Sequence, residues 1–97
     1  MSTNPKSKKL TIGAVSHATG LPVETLRTWE RRYGFPTPER TGGGHRVYTQ
    51  ETVARLRLVA KAVDLGVRPS SVVGMELPQL KRLFVEQLDR KLFEEGV

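Results

Sequence analysis

Apolar residues along this chain recur at helical spacing in short blocks, each closed by glycine or proline. The first block opens on the β-prone stretch Leu10-Thr11-Ile12, after which Ile12, Val15 and Ala18 repeat every three residues as far as Gly20. Such spacing buries one helical face, and glycine supplies the left-handed residue that stops a helix. A brief extended lead-in and a helix over about 12–19 are therefore predicted. Gly20-Leu21-Pro22 reads as a turn, and Val23 begins a second helix reaching about Arg32. Pro22 is tolerated there because the N–H it lacks would have no partner at a helix start. Two short helices around a glycine-containing turn form a helix-turn-helix pattern.

At about 100° per residue the second helix separates cleanly into two sides. Val23, Leu26, Trp29 and Tyr33 share one side; Glu24, Arg27, Thr28, Arg31 and Arg32 share the other. Trp29 and Tyr33 have two readings, as core residues alongside Leu26 or as platforms that stack unpaired bases, and their shared face with Leu26 favours the core. Gly34-Phe35-Pro36-Thr37-Pro38 then forbids further helix. Glu39-Arg40-Thr41 and His45-Arg46-Val47-Tyr48 flank Gly42-Gly43-Gly44 as two short strands around a turn, a hairpin too small to stand alone and so expected to lean on the helices as a wing. The glycines could also cradle a phosphate, but the nucleotide-binding GxxxxGK[ST] pattern and a βαβ unit are both missing.

Thr49 is a good N-cap for a third helix with an acidic first turn; Val53, Leu56, Ala60 and Val63 form its inward stripe, widened by Val59, until Gly66. Leu58, Ala62 and Leu65 lie on another side, which suggests cover on two faces. A short fourth helix near Pro69-Ser70 is expected to close the core with Val72 and Val73. Leu77-Pro78 opens a last helix in which Leu80, Phe84, Leu88 and Leu92 keep an i, i+4 rhythm. That stripe either packs back on the same domain or meets a second chain or domain. The fold class is thus mainly α, a winged helix-turn-helix with a small β-hairpin wing and C-terminal helices. It divides into a disordered tail over 1–9, the winged domain over 10–76, and an amphipathic C-terminal helix, linker or partial dimerisation segment over 77–97.

Charge sharpens this picture. The chain of 97 residues carries 16 Lys and Arg against 10 Asp and Glu, a net charge of +6. Residues 1–48 hold eight basic and three acidic side chains, whereas 49–97 hold eight and seven, so the positive field belongs to the N-terminal half. A basic half fits a polyanion: nucleic acid first, with an anionic membrane surface or an acidic protein attracted by the same field. Arg27, Thr28, Arg31 and Arg32 on a helix, close to Arg40, His45, Arg46 and Tyr48 on a hairpin, suit a helix in the major groove and a wing on the neighbouring backbone. The lysines before Leu10 are either a solvated tail or an arm that grazes DNA.

Other chemistries find little support. There is no cysteine, hence no disulfide, thiolate nucleophile or Cys-based zinc site. His17 and His45 are the only histidines, a poor basis for a metal site. No stretch reads as a membrane span or signal peptide, and a cytoplasmic location is the default. Glu24, Glu30 and Glu39 lie among arginines with no nucleophile beside them, so they read as salt-bridging or capping groups and no enzyme is expected. One small domain leaves no room for a separate ligand-binding or catalytic unit.

The stretch TIGAVSHATGLPVETLRTWERRYG, followed by the PxPxR…GHRVYT wing, resembles the MerR-type winged-helix transcriptional regulators over roughly Leu10 to Gly74. Within them, WERRYGFPTPERTGGGHRVY is most similar to the light- or cobalamin-responsive carotenoid-gene repressors of the CarA, CarH and LitR type. The resemblance implies sequence-specific binding of double-stranded DNA for transcriptional control, as a repressor and as a homodimer on two half-sites. It implicates Thr25, Arg27, Thr28, Arg31 and Arg32 of the recognition helix and Arg40, His45, Arg46 and Tyr48 of the wing; Arg27 is expected to clamp a phosphate, and Arg31, from its outward angle on the helix, to read a base. It also implies an acidic antirepressor protein as a second partner for the recognition helix. No cofactor is expected in this chain; cobalamin belongs to a C-terminal module of such repressors that the residues after Glu76 are too few to form, so the chain is expected to be the DNA-binding part of a longer regulator or else a short stand-alone member.

Overall fold

The computed structural model describes residues 9–40, 43 and 46–95, with side chains through Glu86. The first helix, α1 (Ile12–Thr19), starts where the Thr11 hydroxyl accepts the Ala14 N–H at 3.2 Å and stops at Gly20, whose φ of 76° only glycine adopts without strain. The turn that follows is fixed by side chains. Ser16 Oγ donates to the Leu21 carbonyl at 2.6 Å, and Thr19 Oγ1 donates to the Val15 carbonyl while accepting the Leu21 N–H. Pro22 occupies the N-cap of α2 (Val23–Tyr33), which ends at a second left-handed glycine, Gly34, one residue beyond the predicted end.

The Gly34–Pro38 connection turns inward instead of running over the surface: Phe35 and Pro36 are buried, and Thr37 Oγ1 donates to the Gly34 carbonyl at 2.8 Å. Strands β1 (Glu39–Arg40) and β2 (Arg46–Val47) pair antiparallel, Glu39 opposite Val47 and Arg40 opposite Arg46. The hairpin does not stand alone. Tyr48 and Leu10 exchange backbone hydrogen bonds of 2.8 and 2.7 Å, so the predicted extended lead-in closes the base of the wing against the start of the chain. The His45 end of the predicted second strand lies outside the described residues.

Helix α3 (Gln50–Asp64) is the centre of the packing, with α1, α4 (Pro69–Val72) and α5 (Leu77–Glu95) all laid against it. Its N-cap is Thr49, as predicted. Its buried stripe keeps the predicted Val53, Leu56 and Val59, but Thr52 and Ala62 are buried in place of Ala60 and Val63. Burial of Thr52 rotates the stripe. Its hydroxyl lies 3.2 Å from that of Thr49, which removes the usual cost of placing a threonine inside, and the inward face then includes Ala62 and leaves Ala60 at its edge. Leu65, expected on a second covered face, is instead exposed. Val15 of α1, Leu26 and Trp29 of α2, Val72 and Val73 at the end of α4 and Leu80 of α5 complete a single core with the α3 stripe, Phe35 and Tyr48. Trp29 is a core residue, and Tyr33 is half-buried against the same cluster. Leu83 and Phe84 also pack against it, so the first turns of α5 belong to this core. The Leu88 and Leu92 side chains lie outside the described residues.

Candidate nucleic-acid interface

The outer side of α2 carries the cations. Arg27, Arg31 and Arg32 are exposed, and Thr25 and Thr28 are half-buried between them and the core-facing Leu26 and Trp29. Arg31 and Arg32 fall in the last turn, where the helix dipole also favours positive charge, so their presence costs the helix nothing. Arg40 and Arg46 are directly paired across the hairpin and both are exposed. His45 lies outside the described residues.

One contact joins the two basic elements. An Arg46 guanidinium nitrogen lies 3.8 Å from a Glu30 carboxylate oxygen, linking β2 to the second half of α2. The Arg46 side chain remains about half exposed, so the pair is weak in energy and matters for geometry: it restrains the wing relative to the helix while leaving guanidinium donors free for an anion. Among the described residues Arg27, Arg31, Arg32 and Arg40 form no ion pair, whereas the acidic side chain of β1, Glu39, is taken up by Lys9 at 2.6 Å. The net effect is a surface of unneutralised guanidinium groups on two elements held side by side.

Tyr48 departs from the expectation that it contacts DNA. Only 1% of it is accessible, and its ring belongs to the core. Its hydroxyl is buried without a hydrogen-bond partner among the described residues. Burial pushes the phenol above its ordinary value of 10.0, the nearby Glu30 carboxylate adds to the rise, and Arg46 and Arg27 oppose it. The ring therefore lies beneath the junction of α2 and the wing and supports the basic surface from below.

Glu30 forms the salt bridge expected of it, and its partner, Arg46 on the wing, is what helical periodicity could not supply. Phe35 sat in a glycine- and proline-rich stretch with no periodicity to mark it as core. Among the described residues no group of three or more His, Asp or Glu side chains could hold a metal ion. The open depression at the start of α3, lined by Thr49, Gln50, Glu51 and Leu77, offers no imidazole for cobalt, so cobalamin does not fit the residues that line it. No helix among the described residues is long and apolar enough to cross a membrane.

Residues 10–83 match the family described as MerR HTH family regulatory protein. The chain belongs to the MerR family. Its two helices, connection and antiparallel hairpin are the family's winged helix-turn-helix DNA-binding domain, and the family is one of transcriptional regulators rather than enzymes. Among MerR-family relatives, the chain is 44% identical over 69 residues to the HTH-type transcriptional repressor CarH of Myxococcus xanthus, covering 71% of this chain and 23% of that protein. It is 39% identical over 83 residues to the repressor CarA of the same organism, covering 76% of this chain and 29% of CarA. Similarity of 42% over 62 residues extends to the HTH-type transcriptional regulator MlrA of Escherichia coli, covering 64% of this chain and 26% of MlrA. The chain thus spans about a quarter of the length of these MerR-family relatives.

Proposed function

We propose that this domain binds specific duplex DNA and represses transcription, with α2 in the major groove and the wing on the adjacent backbone. The observation that carries the reading is the set of unneutralised arginines on α2 and the hairpin, restrained side by side by the Glu30–Arg46 contact. Arg27, near the middle of the helix, clamps a phosphate. Arg31, one helical turn further on, reads a base edge, since a guanidinium presents two parallel donors to guanine O6 and N7. Thr25, Thr28 and Arg32 flank these contacts; Arg40 and Arg46 engage the neighbouring backbone, and His45 joins them. Tyr48 is left out of the contact set because its ring is in the core. Two chains bind two half-sites, paired through α5 beyond the turns that pack on this core, and the similarity to the repressors CarH and CarA supports repression as the outcome.

The test is a fluorescence-anisotropy titration of this chain into duplex from upstream of its own gene and into a scrambled duplex, at two salt concentrations. Preference for the native duplex is expected. Equal affinity for both would remove sequence specificity from this chain. A second reading shares the same surface: an acidic protein that occupies the α2 arginines would act as an antirepressor. Adding such a protein to the preformed DNA complex should release the DNA, and a stable ternary complex would show that the two do not share a site.

A further inference from the structure

Arg55 is a charged residue where the α3 periodicity calls for an apolar one. Thr52 and Val59, three residues before it and four after, are both buried, and the Arg55 side chain itself is only 14% exposed. Its guanidinium is shared between two segments distant in sequence. The carbon at its centre stands 3.8 Å from the centroid of the Phe35 ring, which follows directly on Gly34, the cap of α2. One terminal nitrogen donates to the Met75 carbonyl at 2.8 Å, and the other lies 3.7 Å from a Glu76 carboxylate oxygen, immediately before α5 begins at Leu77. The remaining nitrogen, Nε, is buried with no partner among the described residues.

A methionine or leucine would fill this position without the cost of withdrawing a cation from water or of stranding Nε. What the guanidinium adds is geometry. Its flat face lies on Phe35 while its edge donates toward the α4–α5 connection, and neither lysine nor an alkyl chain can do both at once. The Glu76 carboxylate is 71% exposed and contributes little, so the ring stack and the bond to Met75 do the holding.

We infer that Arg55 is a positioning residue for DNA binding: through Phe35 it holds the α2-to-wing connection in register with the start of α5. The inference rests on the DNA-binding reading of α2 and the wing. Its consequence is mechanical coupling, in which the direction of α5 is transmitted to the end of the recognition helix through one side chain that contacts neither a phosphate nor a base.

Three variants test it against the same upstream duplex: Arg55→Met, Phe35→Leu and the double variant, with Arg27→Gln as the control for direct contact. Circular dichroism and urea unfolding establish that each is folded at the assay temperature; Arg55→Lys, which keeps the charge, replaces Arg55→Met if the latter is not. The expected result is that each single variant weakens binding by about 2- to 30-fold. The double variant should be no weaker than the worse single one, and the dependence on salt should stay that of the wild type. Amide resonances of Gly34 and of Leu77, Gln79 and Leu80 should shift together in Arg55→Met. Wild-type affinity in folded Arg55→Met, alongside weakened Arg27→Gln, would overturn the positioning role and leave the DNA reading standing. A reduced salt slope in Arg55→Met would overturn it differently, by making Arg55 a phosphate contact. If Arg27→Gln also bound normally, the DNA reading itself would fail.

Discussion

Replacing Arg27 with glutamine removes one guanidinium from the middle of the basic surface and leaves the core untouched, because its side chain is exposed while its neighbours Leu26 and Trp29 point inward. The size of the effect follows from counting charges. Arg27, Arg32, Arg40 and Arg46 are exposed on the two elements, and these four phosphate contacts, with Arg31 assigned to a base edge, would give log K against log salt a slope of about −3.6 per chain. From 50 to 200 mM salt the wild type then loses roughly 150-fold in affinity, whereas a variant with three contacts, at a slope of about −2.7, loses roughly 40-fold. The difference between the two proteins therefore narrows by a factor of about 3.5 as salt rises over that range. Anisotropy titrations at four or five salt concentrations resolve such a change in slope more reliably than one affinity resolves a change in strength. A wild-type slope shallower than about −1, or an Arg27→Gln slope equal to that of the wild type, would refute the placement of these arginines on phosphates.

Arg31→Ala should behave differently, relaxing preference at a single base pair by about 1–3 kcal/mol in a panel of singly substituted duplexes; a uniform loss across the panel would make Arg31 a backbone contact. Tyr48→Phe deletes a buried hydroxyl that has no partner among the described residues, so urea unfolding should show a change between zero and about 1 kcal/mol of added stability, with DNA affinity kept within about twofold. Because the folded-state phenol is raised above 10.0, the unfolded chain ionises first and the wild type loses stability as pH climbs through about 10 toward the folded value; that loss should be missing from Tyr48→Phe. Gly34→Ala meets no atom within 4 Å yet must adopt a φ of 75°, so it should cost about 1–2 kcal/mol by thermal unfolding, and a smaller cost would mean that the α2 cap relaxes.

Much of this architecture was legible because its boundaries are set by single residues with local effects. Thr11 and Thr49 cap helices with their own hydroxyls, Gly20 and Gly34 end them in the left-handed region, and each acts within four residues of chain. The exposed face of α2 was legible for the same reason, since helical periodicity alone separates Arg27 and Arg31 from Leu26 and Trp29. Tyr48 was not. Alternation along a strand puts it on the same side as Arg46, but at Tyr48 the chain leaves its β1 partner and pairs with Leu10, a contact no local pattern reveals. Arg55 did leave a signal, a cation flanked on its own face by Thr52 and Val59, but its meaning depends on Phe35 and Met75, twenty residues away on either side.

The placement of Tyr48 also explains how a two-residue strand pair can present arginines in a defined position. An isolated hairpin of this length would not hold its shape in water. Here its base is fixed three times: by the backbone bonds between Tyr48 and Leu10, by the Tyr48 ring packed in the core, and by Arg46 reaching Glu30 on α2. A carboxylate in the middle of a basic surface weakens attraction to phosphates, so Glu30 opposes binding by its charge while favouring it through geometry. Which effect wins depends on how much freedom the wing would otherwise have. With the backbone bonds and the Tyr48 ring already holding its base, the Glu30 contact restrains the wing beyond that base and aims the Arg46 guanidinium, so under the proposed DNA reading it sets the register of a backbone contact more than its strength.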